Sequence, residues 1–113
     1  LITIMTIMVD ERFIGKAANI LMQAAPGAKV ILFGSYAQGQ AGPHSDLDFL
    51  VVEPQVEDAY QEMVRLRSAL RPVLRSQGMA ADVLVVSSQD FASWRDTPNT
   101  LFYEAAIHGR IYE

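Results

Sequence analysis

The sequence predicts an α/β (α+β) domain in which a small mixed sheet of at least three strands is flanked by helices. Three short runs rich in β-branched and aromatic residues, Lys29 to Phe33, Asp46 to Glu53 and Ala81 to Ser87, alternate with segments of helical period. About twenty residues of helical pattern join the second run to the third, which makes those strands parallel. About twelve residues, with room for only a short helix, join the first two, a length compatible with an antiparallel pair. The chain has 113 residues, half of them hydrophobic, and no cysteine. A single domain over 1–113 can therefore bury one core without disulfides or thiolate-bound metal. The lack of cysteine also fits a reducing compartment, and a cytoplasmic location is the expectation.

Element by element, LITIMTIM at 1–8 is apolar but far too short to span a membrane, and it lacks the basic start and cleavage site of a signal peptide. Its alternating threonines predict a short extra strand or an arm outside the core. Val9 to Ala25 reads as a helix, because Phe13, Ala17, Ile20, Leu21 and Ala24 recur at helical spacing and Pro26-Gly27 ends it. After the first strand, Gly34-Ser35 breaks the run. Tyr36 to Gln40 suits a short helix, and Gly42-Pro43 returns the chain as a loop. Pro54 stops the second strand. A long helix follows from about Val56 to Arg75, with Pro72 expected to kink it or end it early. Ser88 to Trp94 reads as a short capped helix. A last helix opens at Thr97-Pro98 and runs to His108, closed by Gly109.

The formal net charge of −4 argues against a role built on phosphate-backbone contacts, so direct nucleic-acid binding is not expected. Arg65, Arg67, Arg71 and Arg75 cluster on the long helix, where they read as a solvated face. No membrane association is expected.

Topology concentrates the chemistry. With the first two strands antiparallel and the last two parallel, one strand's end and two strands' starts share an edge of the sheet. Gly34 and Ser35 sit at that end, Asp46 and Asp48 at the start of the second strand, and Asp82 at the start of the third. Side chains two apart on a strand project to one face, about 6.5–7 Å apart, so Asp46 and Asp48 point together while Leu47 and Phe49 face the other way. Asp82 can reach one of them across the parallel pair. Three carboxylates this close repel one another unless some are protonated or a cation joins them. Mg²⁺ suits such a set of hard oxygen ligands and lets substrate phosphates complete its shell. A glycine between a strand and a helix start allows close backbone approach. The free N–H groups there and the Ser35 hydroxyl can hold phosphate. A phosphate cradle facing a carboxylate-held metal is what phosphoryl-type transfer requires.

Taken singly these residues are ordinary: Asp46 an Asx-turn or strand-entry residue, Gly34-Ser35 a turn, Asp82 a strand opener. Taken jointly, G-S-x10-D-x-D arises by chance in roughly one such chain in several hundred. The pattern resembles that of the DNA polymerase β-type nucleotidyltransferase superfamily, and most closely its minimal form, the MNT proteins. Gly34-Ser35, Asp46-x-Asp48 and a third acidic residue in a later strand, Asp82, match; the preceding helix and the closing GRIYE are similar too.

The resemblance implies a nucleotidyltransferase fold, with Asp46 and Asp48 as metal ligands and Asp82 as the third carboxylate, aiding the metal or taking a hydroxyl proton. It implies Mg²⁺ as cofactor and ATP or another nucleoside triphosphate as substrate, with Gly34 and Ser35 holding the triphosphate tail. One position departs: Gln38 stands where many relatives carry arginine, which keeps hydrogen bonding but loses charge. Tyr36 is expected to pack beside the short helix, His44 to lie in an exposed loop, and Trp94 to belong to the core or an interface.

The chain runs about thirty residues beyond Asp82, so the acceptor site is expected to come from a partner, in a homo- or hetero-oligomer. MNT proteins resemble the antitoxin halves of HEPN–MNT pairs, which implies a helical HEPN-type toxin as partner and a tyrosine on it as the AMP acceptor. Two alternatives stay open: transfer to a small hydroxyl compound, and an antitoxin that acts by binding alone.

Overall fold

Alternation along the strands decides the architecture. In the computed structural model, which describes residues 2–42 and 45–113 and the side chains from Glu11 onward among them, helix α1 (Ile2–Ala24) precedes strand β1 (Lys29–Phe33). Then come β2 (Leu47–Glu53), α2 (Ala59–Gln77), β3 (Ala81–Ser87), α3 (Ser88–Trp94), α4 (Leu101–His108) and β4 (Arg110–Tyr112). The strands form one sheet in the order β3-β2-β1-β4, with β2 and β3 parallel and both pairs involving β1 antiparallel.

Val30, Leu32, Leu47, Phe49, Val51 and Val83 face one side, buried against Ile14, Ala17 and Leu21 of α1 and Leu66, Leu70 and Val73 of α2. Ile31, Leu50, Val52 and Val86 face the other side, against Phe91 of α3 and Ala105 of α4. The sheet is thus covered on both faces, which is why its strands read as unbroken apolar runs. Each of the fully buried large side chains, such as Phe49 and Leu50, contributes about 1.5–3 kcal/mol. No helix among the described residues is long and apolar enough to cross a membrane.

The fold class, the three strands and their relative directions match expectation. Three local readings do not, and two more, at Pro72 and Trp94, are narrowed to one of their alternatives. Helix α1 begins at Ile2, so residues 2–8 continue the helix rather than form a strand. Nothing there breaks a helix, extension of an existing helix needs no new nucleus, and β4 already takes the β1 edge that an extra strand would need. The segment Tyr36 to Gln40 is a turn, closed by Gln38 N donating to Gly34 O and Gln40 N to Ser35 O, because Gly39 at φ 69° leaves helical space after one turn.

Pro72 lies inside α2 and does not end it. Both Pro72 and Ser68, whose carbonyl it leaves unpaired, are exposed, so water can satisfy that group. Helix α2 instead runs from an Asp58 cap, whose carboxylate accepts from Gln61 N at 3.0 Å, to Gly78 in left-handed conformation. Helix α4 starts at Leu101, after Thr97-Pro98, because Thr100 is its cap. Trp94 is 50% exposed and lies outside the core. Pro43 and His44 lie outside the described residues.

Strand β4 was not expected. It follows α4 with one residue between them, and that residue is Gly109. A Cβ there would lie 2.2 Å from the Ala105 carbonyl oxygen and 2.5 Å from Ile31 Cγ2, so only glycine lets the helix hand over to the strand at this approach.

At the far end of β2, Glu53 meets Glu62 and Arg65 of α2. Arg65 donates to both Glu62 oxygens, at 2.6 and 2.9 Å. Burial, then hydrogen bonding to Glu62 and its charge, push the Glu53 carboxyl up to about 7 against the opposing pull of Arg65. Arg65, then Glu53, hold Glu62 down at about 2.

Two predictions follow from this packing. Gly109→Ala should lower stability by about 1–3 kcal/mol, read as a lower denaturation midpoint at unchanged slope. The Glu53 proton is held more tightly folded than unfolded, so its contribution is present below pH 4.5 and disappears as pH rises to about 7. Thermal stability measured across that window should therefore fall with pH in the natural chain, and Glu53→Gln should flatten the slope; an unchanged slope would refute the assignment.

Candidate functional site

The site is built by register. Phe33, the last residue of β1, pairs with Asp48 of β2, and Asp48 pairs with Asp82 of β3. The end of β1 and the starts of β2 and β3 thus lie side by side, as the sequence predicts. Leu47 is fully buried on the α1 and α2 side of the sheet, which turns its neighbours Asp46 and Asp48 toward the opposite face. Asp46 and Asp82 are exposed and Asp48 is half-buried.

The carboxylates sense one another. Burial first, then the charges of Asp82 and Asp46, raise the Asp48 pKa above the ordinary carboxylate value. Gly34 makes the arrangement sterically feasible. It sits at φ 76°, and a Cβ on it would lie 2.6 Å from Asp48 Oδ2. The Asp48 carboxylate therefore lies against bare backbone at the end of β1. Ser35 follows in the tight turn, half-buried, its carbonyl accepting from Gln40 N at 2.9 Å. The expected helix start is reduced to this turn, so the cradle is a loop backbone rather than a helix N-terminus. Tyr36 packs half-buried against the core beneath α1 and α2, and Gln38 is exposed.

One participant was not expected. Arg67 of α2, read from sequence as part of a solvated face, donates its Nη2–H to Asp82 Oδ1. It starts from the opposite layer and reaches past β3, the edge strand of the sheet. No spacing rule links a helix residue to a strand residue across two layers. The available signal was weaker: Arg67 lies between the buried Leu66 and Leu70, on the flank of the packed stripe.

The donors fit a hard divalent cation. They are carboxylate oxygens, two of them on one strand, and mutual repulsion already raises Asp48. Among the described residues, however, no three carboxylates or imidazoles converge closely enough to hold an ion. Asp82 is engaged by Arg67 instead. Asp46 and Asp48 are thus residues that could hold a metal, while one oxygen of Asp82, Oδ1, is engaged by Arg67.

Comparison with known proteins agrees with the fold. A chain from the crystal structure of a toxin–antitoxin MntA-HpeT mutant is similar over 85% of this chain and 68% of its own, with a TM-score of 0.60 and 18% identity. A chain from a toxin–antitoxin structure with AMP-PNP matches at 25% identity and a TM-score of 0.49, over 82% of this chain and 66% of its own. A Rhizobium johnstonii protein named phosphoglycerate kinase is 30% identical over 101 residues, covering 85% of this chain but 25% of that protein, so the chain spans a quarter of the length of that curated relative. The family model of the nucleotidyltransferase domain matches residues 14–105, a span that holds Gly34, Ser35, Asp46, Asp48 and Asp82. By that match over most of its length, the chain belongs to the nucleotidyltransferase domain family.

Proposed function

We propose that the protein is a cytoplasmic, Mg²⁺-dependent antitoxin that moves AMP from ATP to a tyrosine hydroxyl of a HEPN-type toxin. The observation that carries this reading is the placement of Asp48 beside Asp82 in the sheet and against Gly34. The partner is supported by the toxin–antitoxin setting of the structure that shares the fold.

Asp46 and Asp48 would hold the cation, with Asp82 completing the set. Bound there, Mg²⁺ would offset the carboxylate charge and withdraw electron density from the phosphates. The turn after β1, with the Gly34 backbone and the Ser35 hydroxyl, would hold the triphosphate tail. The acceptor oxygen attacks the α-phosphorus, the bond from that phosphorus to the bridging oxygen of the β-phosphate breaks, and pyrophosphate leaves. The hydroxyl proton would pass to a carboxylate, a role the family resemblance gives Asp82 as an alternative to aiding the metal. The nucleoside monophosphate stays on the acceptor.

A second reading, neutralisation by binding alone, draws on two observations: the Arg67 contact holds Asp82, and Gln38 brings no charge to the turn.

Incubation with Mg²⁺, ATP and the product of the neighbouring reading frame should add an AMP-sized mass to that product, and Asp46→Asn with Asp48→Asn should abolish it. Full toxin neutralisation by the double variant, with no mass gain from the natural chain, would instead establish binding alone. Labelling of a small alcohol with no protein labelled would move the acceptor assignment to a small hydroxyl substrate. Gly34→Ala, which forces a side chain into positive φ and against Asp48, should reduce transfer about 10²-fold through misplacement of the reacting groups, read as initial rate at saturating ATP.

A further inference from the structure

Among the described residues, Arg67 is the cation that the fold brings onto the candidate site. It lines a cleft of about 150 Å³ between α2 and β3, together with Leu70, Arg71, Leu74, Ala81 and Val83. From there one Nη2–H reaches Asp82 Oδ1. The grip is incomplete. Arg67 Nε is shut off from solvent and has no acceptor among the described residues. A guanidinium binds a carboxylate best through two parallel N–H bonds, and here one N–H bond holds a carboxylate whose side chain remains 50% exposed.

Asp82 also faces Asp48 across the parallel pair. A divalent cation joining those two carboxylates would set two positive charges against the guanidinium at contact range, where like charges repel strongly outside bulk water. The guanidinium and the dication therefore compete for the Asp82 carboxylate.

We propose that Arg67 is a positioning residue that holds Asp82 toward α2 in the metal-free protein, and that a divalent cation binding between Asp48 and Asp82 displaces it. The inference rests on the metal-dependent reading above. It makes the third carboxylate conditional: Asp82 joins Asp46 and Asp48 when Arg67 lets go. It also accounts for the failure of three carboxylates to converge in this arrangement.

Mn²⁺, a paramagnetic stand-in for Mg²⁺, can be titrated by electron paramagnetic resonance into the natural chain, Arg67→Met, Arg67→Lys and the Asp46→Asn, Asp48→Asn double variant. Thermal unfolding in chelator shows which variants are folded. Arg67→Met, which keeps an apolar stem and loses the charge, should bind Mn²⁺ about fivefold more tightly or better, and Arg67→Lys should fall between it and the natural chain. The double variant should lose binding. Should Arg67→Met fail to fold, Arg67→Lys decides: tighter binding supports the exchange, and equal or weaker binding overturns it. Mn²⁺ binding by the natural chain that a folded Arg67→Met leaves unchanged or weakens overturns the exchange alone and leaves the nucleotidyl-transfer reading standing. No Mn²⁺ binding by the natural chain, even with a non-hydrolysable ATP analogue present, overturns both.

Discussion

The parallel register of β2 and β3 sets Asp48 directly beside Asp82, and the repulsion between those two carboxylates conditions everything else at that edge of the sheet. A carboxylate crowded by others has three ways out: it can take a proton, pair with a cationic side chain, or share a metal. The first two are visible here. Asp48 holds its proton more tightly than an ordinary carboxylate, and Asp82 pairs with Arg67. Neither of these binds a phosphate. The third does, because a hard dication keeps free positions for phosphate oxygens after two carboxylates have bound it. Under the proposed function, a divalent cation would relieve this crowding and hold phosphate as well.

That crowding depends on rigidity. Asp48 is held in place within β2, because Leu47 and Phe49 on either side of it are fully buried against α1 and α2, while Asp46 lies exposed just before the strand. Gly34 completes the packing around Asp48. Its missing side chain lets the backbone at the end of β1 stand against Asp48, with left-handed φ that other residues seldom adopt. Strand packing on one face therefore fixes charge geometry on the other.

Much of this was legible in the sequence, for reasons of period and connection length. The strands are buried on both faces, so their apolar runs stand out, and Lys29–Phe33 and Ala81–Ser87 coincide with the observed β1 and β3. Connection length gave the parallel and antiparallel senses, and those senses placed Gly34, Asp48 and Asp82 together. What was not legible depends on contacts that period does not encode. The turn at Tyr36 to Gln40 has helix-compatible residues, and only the backbone of Gly39 ends it. Strand β4 is three residues long and exists because β1 offers an edge. Arg67 has the spacing of a surface residue, and its role comes from reaching around an edge strand that the sequence does not identify as an edge.

The other end of β2 shows why crowded carboxylates alone do not make a site. Glu53 and Glu62 are also perturbed, Glu53 up to about 7 by burial and then by Glu62, and Glu62 down to about 2 by Arg65 and then by Glu53. Yet that cluster is answered from within. Arg65 grips Glu62 through two N–H bonds, and Glu53 stays neutral by retaining its proton through the lower pH range. The Arg65–Glu62 geometry is two-point, although Glu53 Oε2 is itself buried with no hydrogen-bond partner among the described residues. At the aspartate edge the internal answer is a one-point contact from Arg67, with Nε unsatisfied and Asp46 left exposed without a partner in the described structure. The same strand therefore meets a two-point arginine–carboxylate contact at one end and a one-point contact at the other, open end. What separates them is how completely an arginine satisfies its carboxylate, and the glycine at the open end leaves room for a ligand to do what that arginine does not.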